Sequence, residues 1–180
     1  MATRNILKDG DKGLSKKSRT VTDFNKRLHI LLDDMRETLI EANGLGLAAP
    51  QVGVLRRAAL IVDTSKDDES YEEQIIELIN PEIISQDGEQ TGNEGCLSLP
   101  GIYGIVTRPD YIKIKAQDRY GNMFELEGNE LTARAVFHEI DHLDGIVFTS
   151  IAERLLTEEE LAELAAQREQ EENDGEENQQ

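Results

Sequence analysis

The chain has 180 residues, 38% of them apolar and 31% charged, with a formal net charge of -18. That length supports one domain with a real core, and the acidic balance argues against nonspecific binding to nucleic acid or to anionic membrane surfaces. The single cysteine excludes an intrachain disulfide and fits a reducing compartment.

Met1 to Gly13 carries neither the apolar run of a secretory signal nor an Arg- and Ser-rich targeting pattern. No stretch approaches the roughly 18 apolar residues of a membrane span. The expected location is the cytoplasm. Lys8 to Thr20 is polar and basic and reads as an extended arm or loop. A helix follows, capped by Thr22 or Asp23, with Phe24, Leu28, Leu31, Leu32, Met35 and Leu39 on one core-facing stripe. His29 lies beside that stripe and reads as a partly exposed helix histidine rather than a ligand. Asn43-Gly44 ends the helix.

Gly44 to Gly53 is Gly-rich. Arg57 to Asp63 reads as a buried strand, Thr64 to Glu73 as an acidic loop, and Ile75 to Ile84 as a strand interrupted at Asn80-Pro81. Gln86 to Pro100 is expected to be loop-rich. From Gly104 to Glu130 the pattern is β: Ile112, Ile114 and Ala116 alternate with Lys113, Lys115 and Gln117, and Phe124 and Leu126 alternate with Met123, Glu125 and Glu127 after a turn at Asp118 to Asn122. A helix is predicted over Leu131–Leu143, and Ile146, Val147 and Phe148 form a short apolar return.

Thr157 with Glu160 forms a capping box for a last helix, whose apolar face is brief (Leu161, Leu164, Ala165). Beyond Gln167 the end is expected to be disordered. Residues 157–180 hold ten acidic side chains against Arg168, a balance of −9 that is half of the whole chain's -18. The expected division is one catalytic domain over 1–156 and an acidic tail over 157–180. The tail is either an interaction module or simply a solvated, solubilising end. No internal repeats occur, and a helix, then antiparallel strands, then a helix indicates an α+β domain.

His138-Glu139-Ile140-Asp141-His142 matches H-E-x-x-H. Residues at i and i+4 share one helix face, so both imidazoles can reach one ion at roughly 2.0–2.1 Å. Glu139 is placed to approach a water on that ion without ligating it. The bland alternative is two surface histidines on a charged helix. Two imidazoles leave an ion under-coordinated, and no His follows His142. The downstream carboxylates lie mainly in the solvated tail. Cys96, in a Gly-containing loop, is the remaining strong donor, and thiolate is a good ligand for Zn or Fe(II). A lone Cys is otherwise a small buried hydrophobe.

A Cys-His-His set leaves a fourth position for water, whose pKa falls to about 7 on the metal, supplying a hydroxide that attacks a carbonyl. The oxyanion then needs donors, which the Gln51 side-chain NH₂ and the Leu97 amide can supply. On these residues two kinds of reading stand open: a metallohydrolase that attacks a carbonyl, such as an H-E-x-x-H protease, and a structural metal site in a binding protein.

Three segments then coincide. Gly44-Leu45-Gly46-Leu47-Ala48-Ala49-Pro50-Gln51, Glu94-Gly95-Cys96-Leu97-Ser98 and His138-Glu139-Ile140-Asp141-His142 resemble, in order, the three signature motifs of the peptide deformylases, and most of residues 4 to 151 resembles the bacterial members. The resemblance implies removal of the N-formyl group from the initiator methionine of newly made polypeptides, with release of formate, near the ribosome. It implies an α+β fold with antiparallel β-sheets packed around a central metal-binding helix, an N-terminal helix and an acidic C-terminal tail. Cys96, His138 and His142 would bind the metal. Glu139 would take a proton from the water and pass it to the leaving amine, and Gln51 and Leu97 would stabilise the oxyanion. Gly46 and Gly95 would lie against the substrate backbone. Fe(II) is the physiological ion the resemblance implies, with Zn, Ni or Co able to replace it. A thiolate on Fe(II) is expected to be oxidation-sensitive.

The methionine side chain needs an apolar pocket. Leu131, Ala135, His138 and His142 share one helix face, so Leu131 and Ala135 are expected to wall that pocket, with Leu45 opposite; the alternative is that Leu131 and Ala135 are plain core. The sequence departs from the family pattern at Thr91-Gly92-Asn93-Glu94, one residue shorter than in some members, and at Phe137, where many have Gln.

Overall fold

Helix α1 (Lys26–Ala42) buries the expected stripe: Leu28, Leu31, Leu32, Met35 and Leu39 are all inside. Each such side chain contributes about 1.5–3 kcal/mol of hydrophobic stabilisation. Phe24 precedes the helix and packs half-buried against the same cluster. The cap is Asn25 rather than Thr22 or Asp23. Its side chain accepts from the amides of Arg27 and Leu28, and only a residue directly before the first turn can reach those donors. Asn43, in the left-handed region at φ 48, closes the helix as expected. His29 holds the Arg119 carbonyl at 2.8 Å.

The computed structural model describes residues 2–66 and 69–177, the side chains of 168–177 excepted. Strands β1 (Gly46–Ala48), β2 (Ala58–Val62), β3 (Ile75–Asp87), β6 (Tyr111–Gln117) and β7 (Met123–Asn129) form one antiparallel sheet in the order β1-β2-β3-β6-β7. A three-stranded sheet has the order β4-β5-β8, from β4 (Gln90–Cys96), β5 (Leu99–Arg108) and β8 (Arg154–Leu155). All five residues of β2 are buried. The reason is that the larger sheet is covered on both faces. Ala58, Leu60 and Val62 meet α1, while Ile61 meets α2 (Glu130–Leu143), together with Leu78, Ile112, Ile114, Val136 and Ile140.

Two expectations change here. Asn80-Pro81 does not interrupt the strand but forms a bulge within β3, with a register shift between Ile79 and Glu82. Asn80 takes φ 50, and its side chain bonds both backbone groups of Val21, at 2.8 and 2.9 Å. The bulge therefore keeps its polar groups satisfied. The segment Gln86 to Pro100 is not a loop but contains β4 and the start of β5, paired in register from Gln90 with Arg108 to Gly95 with Tyr103. Its glycines and polar residues hide it from a hydrophobic count, because β4 is an edge strand that needs little apolar surface.

The alternation over β6 and β7 is as expected, with Ile112, Ile114 and Ala116 inward. The apolar return at Ile146–Phe148 is not a strand. A short 3₁₀ turn, Phe148–Ser150, drops Phe148 into the core under β5. Helix α3 (Glu158–Glu177) starts with the capping box: the Thr157 amide donates to Glu160 at 2.9 Å, and the Glu160 amide to the Thr157 hydroxyl at 3.3 Å. The backbone stays helical past Gln167, to Glu177, against the expected disorder; residues 178–180 lie outside the described residues. Among the described residues no helix is long and apolar enough to cross a membrane.

Candidate metal centre

Helix α2 crosses behind the gap between the two sheets and carries the H-E-x-x-H run on its inner face. Its i, i+4 spacing brings His138 and His142 together, and the turn between β4 and β5 brings Cys96 to them. Cys96 Sγ lies 3.2 Å from His142 Nε2, which lies 3.2 Å from His138 Nε2. All three donor atoms fall within 4.8 Å of one another.

These atoms fit a divalent cation. The Nδ1–H of His138 donates to Glu94 Oε2 at 3.1 Å, and a carboxylate only accepts, so the lone pair of His138 is on Nε2. In the neutral ring that lone pair faces His142 Nε2, beside the sulfur, an arrangement that costs free energy unless a proton or a metal cation takes it. Burial, reinforced by the neighbouring His138, holds His142 down to about 3. Burial opposes a charge on His138 too, but the Cys96 sulfur and Glu94 outweigh it and raise His138 to about 10. One positive charge is thus favoured among the three donors.

Glu94 holds more than one histidine. It is 5% exposed and accepts from Arg108 Nε at 2.9 Å, Arg108 Nη2 at 2.8 Å and Arg134 Nη1 at 3.1 Å. Burial raises its pKa, but the hydrogen bonds from His138 and Arg108 prevail and keep it at about 2. Arg108 continues to Asp141 at 2.6 Å, and Arg134 to the carbonyls of Val106 and Gln90. The sequence offered Glu94 as part of a motif but no role for it, and Arg108, Arg134 and Asp141 went unmarked. Nothing in local spacing signals partners 14 and 40 residues apart.

Glu139 is 3% exposed, and its Oε2 has no hydrogen-bond partner among the described residues. Burial pushes its pKa up to about 7. It lines the same cleft as Gly46, where a Cβ would overlap its carboxylate. Gly95 plays a parallel part, since a Cβ there would come within 2.6 Å of the Tyr103 ring. Both glycines make room for a functional neighbour, and both line the cleft.

Gln51 is 1% exposed in a 3₁₀ turn, Ala49–Val52. The Ala48 amide donates to its Oε1 at 2.8 Å, which turns its NH₂ toward Cys96 Sγ at 3.4 Å and Ser98 Oγ at 3.2 Å. The Leu97 amide donates to no acceptor among the described residues. Gln51 Nε2 therefore borders the three-atom cluster, and Leu97 is the residue directly after its cysteine.

The cluster lies at the bottom of a cleft of about 760 Å³, whose walls include Leu45, Leu97, Tyr103, Leu131 and Ala135. Leu45 is 41% and Leu131 43% exposed, so Leu131 is wall rather than plain core, while Ala135 is buried. At the short Thr91–Glu94 segment, Arg134 and Asn93 supply the lining. Phe137 points away, into the cluster of Ile61, Ile112 and Ile114.

Residues 3–157 match the model of the family described as polypeptide deformylase. The chain is 57% identical over 148 residues to a peptide deformylase of Lachnoclostridium phytofermentans, covering 82% of this chain and 88% of that protein. It is 49% identical over 164 residues to peptide deformylase 1 of Bacillus subtilis, covering 91% and 99%. Among solved structures, a peptide deformylase from Legionella pneumophila superposes with a TM-score of 0.77 at 37% identity, covering 99% of both chains. One from Thermotoga maritima superposes with a TM-score of 0.78 at 34% identity, covering 84% of this chain and 99% of that one.

Proposed function

This chain belongs to the polypeptide deformylase family and is a hydrolase, and from that premise we propose that it removes the N-formyl group from the formylmethionine of newly synthesised polypeptides, releasing formate, with Cys96, His138 and His142 holding one divalent metal ion. The observation that carries the reading is the meeting of one sulfur and two imidazole nitrogens within 4.8 Å, at the bottom of an open cleft, beside a buried carboxylate without a partner.

A metal held by this set would supply Lewis acidity toward a water and a carbonyl. Glu139, whose buried Oε2 has no partner among the described residues, would accept the proton of the attacking water and deliver it to the leaving amine. Gln51 Nε2 and the Leu97 amide donate to the oxygen on which charge develops. Glu94 keeps His138 in the right tautomer. Leu45, Leu131 and Ala135 take the methionine side chain, and Gly46 and Gly95 let the peptide backbone approach.

Fe(II) is the ion we assign in the cell, although the donor set also accepts Zn, Ni or Co, since thiolate and imidazole do not select iron by affinity. The place of action is the cytoplasm, where formylated chains emerge from the ribosome. The net charge of -18 implies no direct grip on RNA.

The test is formate release from formyl-Met-Ala-Ser by anaerobically iron-loaded protein and by its Glu139→Ala variant. Turnover should fall by about 10²–10⁴-fold in the variant with metal content unchanged. Equal turnover would remove Glu139 from the mechanism, and no formate from either protein would remove the substrate.

A further inference from the structure

Three consecutive residues of the N-terminal arm reach the two loops that carry the oxyanion donors. The Leu7 amide donates to the Gln51 carbonyl at 2.7 Å, and the Asp9 amide to the Ser98 carbonyl at 3.1 Å. Between them, the Lys8 ammonium donates to the Leu97 carbonyl at 2.9 Å. Gln51 follows β1 of the larger sheet, whereas Leu97 and Ser98 join β4 to β5 of the smaller one. The arm thus links the turn that carries Gln51 to the turn that follows Cys96.

The arm is itself anchored on α1. Arg4 Nε and Nη2 donate to Asp34 Oδ2 at 3.1 and 2.9 Å, and the Arg4 amide donates to the Thr38 hydroxyl at 2.9 Å. The Leu97 side chain packs against the cluster under α1, in room that the missing Cβ of Gly44 leaves. Ile6 and Lys8 line the same cleft as Cys96 and His138.

We propose that residues 7–9 form a clamp that sets the spacing of the Gln51 and Leu97 donors, with Lys8 as the positioning residue for the Leu97 amide. The inference rests on the deformylase reading above. Two of the three bonds are backbone to backbone and do not depend on side-chain identity. The third is charge-assisted but exposed, so it supplies direction rather than stability. Holding the Leu97 carbonyl limits rotation about Leu97, and with it the direction of the amide of the same residue. Oxyanion donors stabilise charge only when already aimed at the place where it develops. A loosened donor therefore lowers kcat and leaves substrate binding nearly alone.

The test compares iron-loaded wild type, Lys8→Met and Lys8→Arg on formyl-Met-Ala-Ser, with metal content, Tm and exchange of the Leu97 amide measured on the same samples. In Lys8→Met, kcat should drop about tenfold while KM stays within about twofold, Tm and metal content are unchanged, and the Leu97 amide exchanges faster. Lys8→Arg should recover most of kcat. Wild-type kcat in Lys8→Met, a loss confined to KM, or failure of the Arg variant to restore turnover overturns the clamp and leaves the deformylase reading intact. No formate from the wild type overturns both.

Discussion

Acid–base pairs occur in two regions of this molecule and do different work. Beneath α2, Glu94 serves Arg108, Arg134 and His138, with every side chain at most 10% exposed. On the outer face of β6 and β7, Lys113 bridges Glu125 and Glu127, and the two carboxylates are 60% and 57% exposed. The distances are alike, 2.8 to 3.1 Å below and 2.9 to 3.0 Å above. Distance is therefore not what separates them. Water can replace any partner on the outer face, whereas under α2 a lost partner leaves a charge buried and unpaired. The buried cluster also orients a metal ligand, and the outer ladder touches nothing catalytic.

The comparison can be broken most decisively at Glu94. Glu94→Ala leaves Arg134 without a carboxylate and Arg108 with Asp141 alone, frees His138 Nδ1, and should destabilise the protein by about 3–5 kcal/mol. Metal affinity should fall about 10–100-fold at the same time; thermal unfolding and a competitive chelator titration read the two effects. A variant that unfolds like wild type would mean that the cluster is wetter than its burial indicates.

Arg134→Met sharpens the contrast by keeping Glu94 paired to Arg108. Glu94 then retains most of its acceptor bonds, but the links to Val106 and Gln90 go. A loss of about 1–3 kcal/mol is expected, with metal affinity within about threefold of wild type, because His138 keeps its Glu94 partner. A drop in affinity as large as that of Glu94→Ala would show that Arg134 acts on the metal ligand too.

At the outer ladder, Lys113→Gln should leave Tm within about 2 °C of wild type, at low salt and at 1 M salt alike. A larger drop that salt abolishes would promote the ladder to a real contributor. Smallest of all is removal of 158–180, which we treat as separable from the catalytic unit. Formate release should stay within about twofold, since the Leu156 amide still holds the Tyr103 carbonyl at 2.9 Å. A larger loss would tie the acidic end to the cleft.

Much of this molecule was legible as local pattern. The buried stripe of α1, the alternation of β6 and β7, and the capping box at Thr157 and Glu160 each depend on neighbours within one or two turns or strand steps. The pair His138 and His142 belongs to the same class, because a helix alone brings i and i+4 together. Where local pattern failed, a long-range partner had intervened. β4 looked like loop because its stability comes from pairing with β5. Asn80 looked like a break because its polar atoms are satisfied by Val21, 59 residues away. The helix cap moved to Asn25 for a geometric reason that composition does not reveal.

From its residues alone, then, this sequence determined an α+β chain, a helix presenting two imidazoles and a carboxylate, and a thiol as the third candidate donor, since periodicity and donor chemistry act over short range. Only the tertiary structure decided that the thiol meets those imidazoles, that Glu94 holds His138 with two arginines, that Gly46 makes room for Glu139, and that the arm at Lys8 spans both oxyanion loops. Those contacts join residues from 14 to 93 positions apart, and at that range the folded sheets, not the spacing of residues along the chain, set which groups meet.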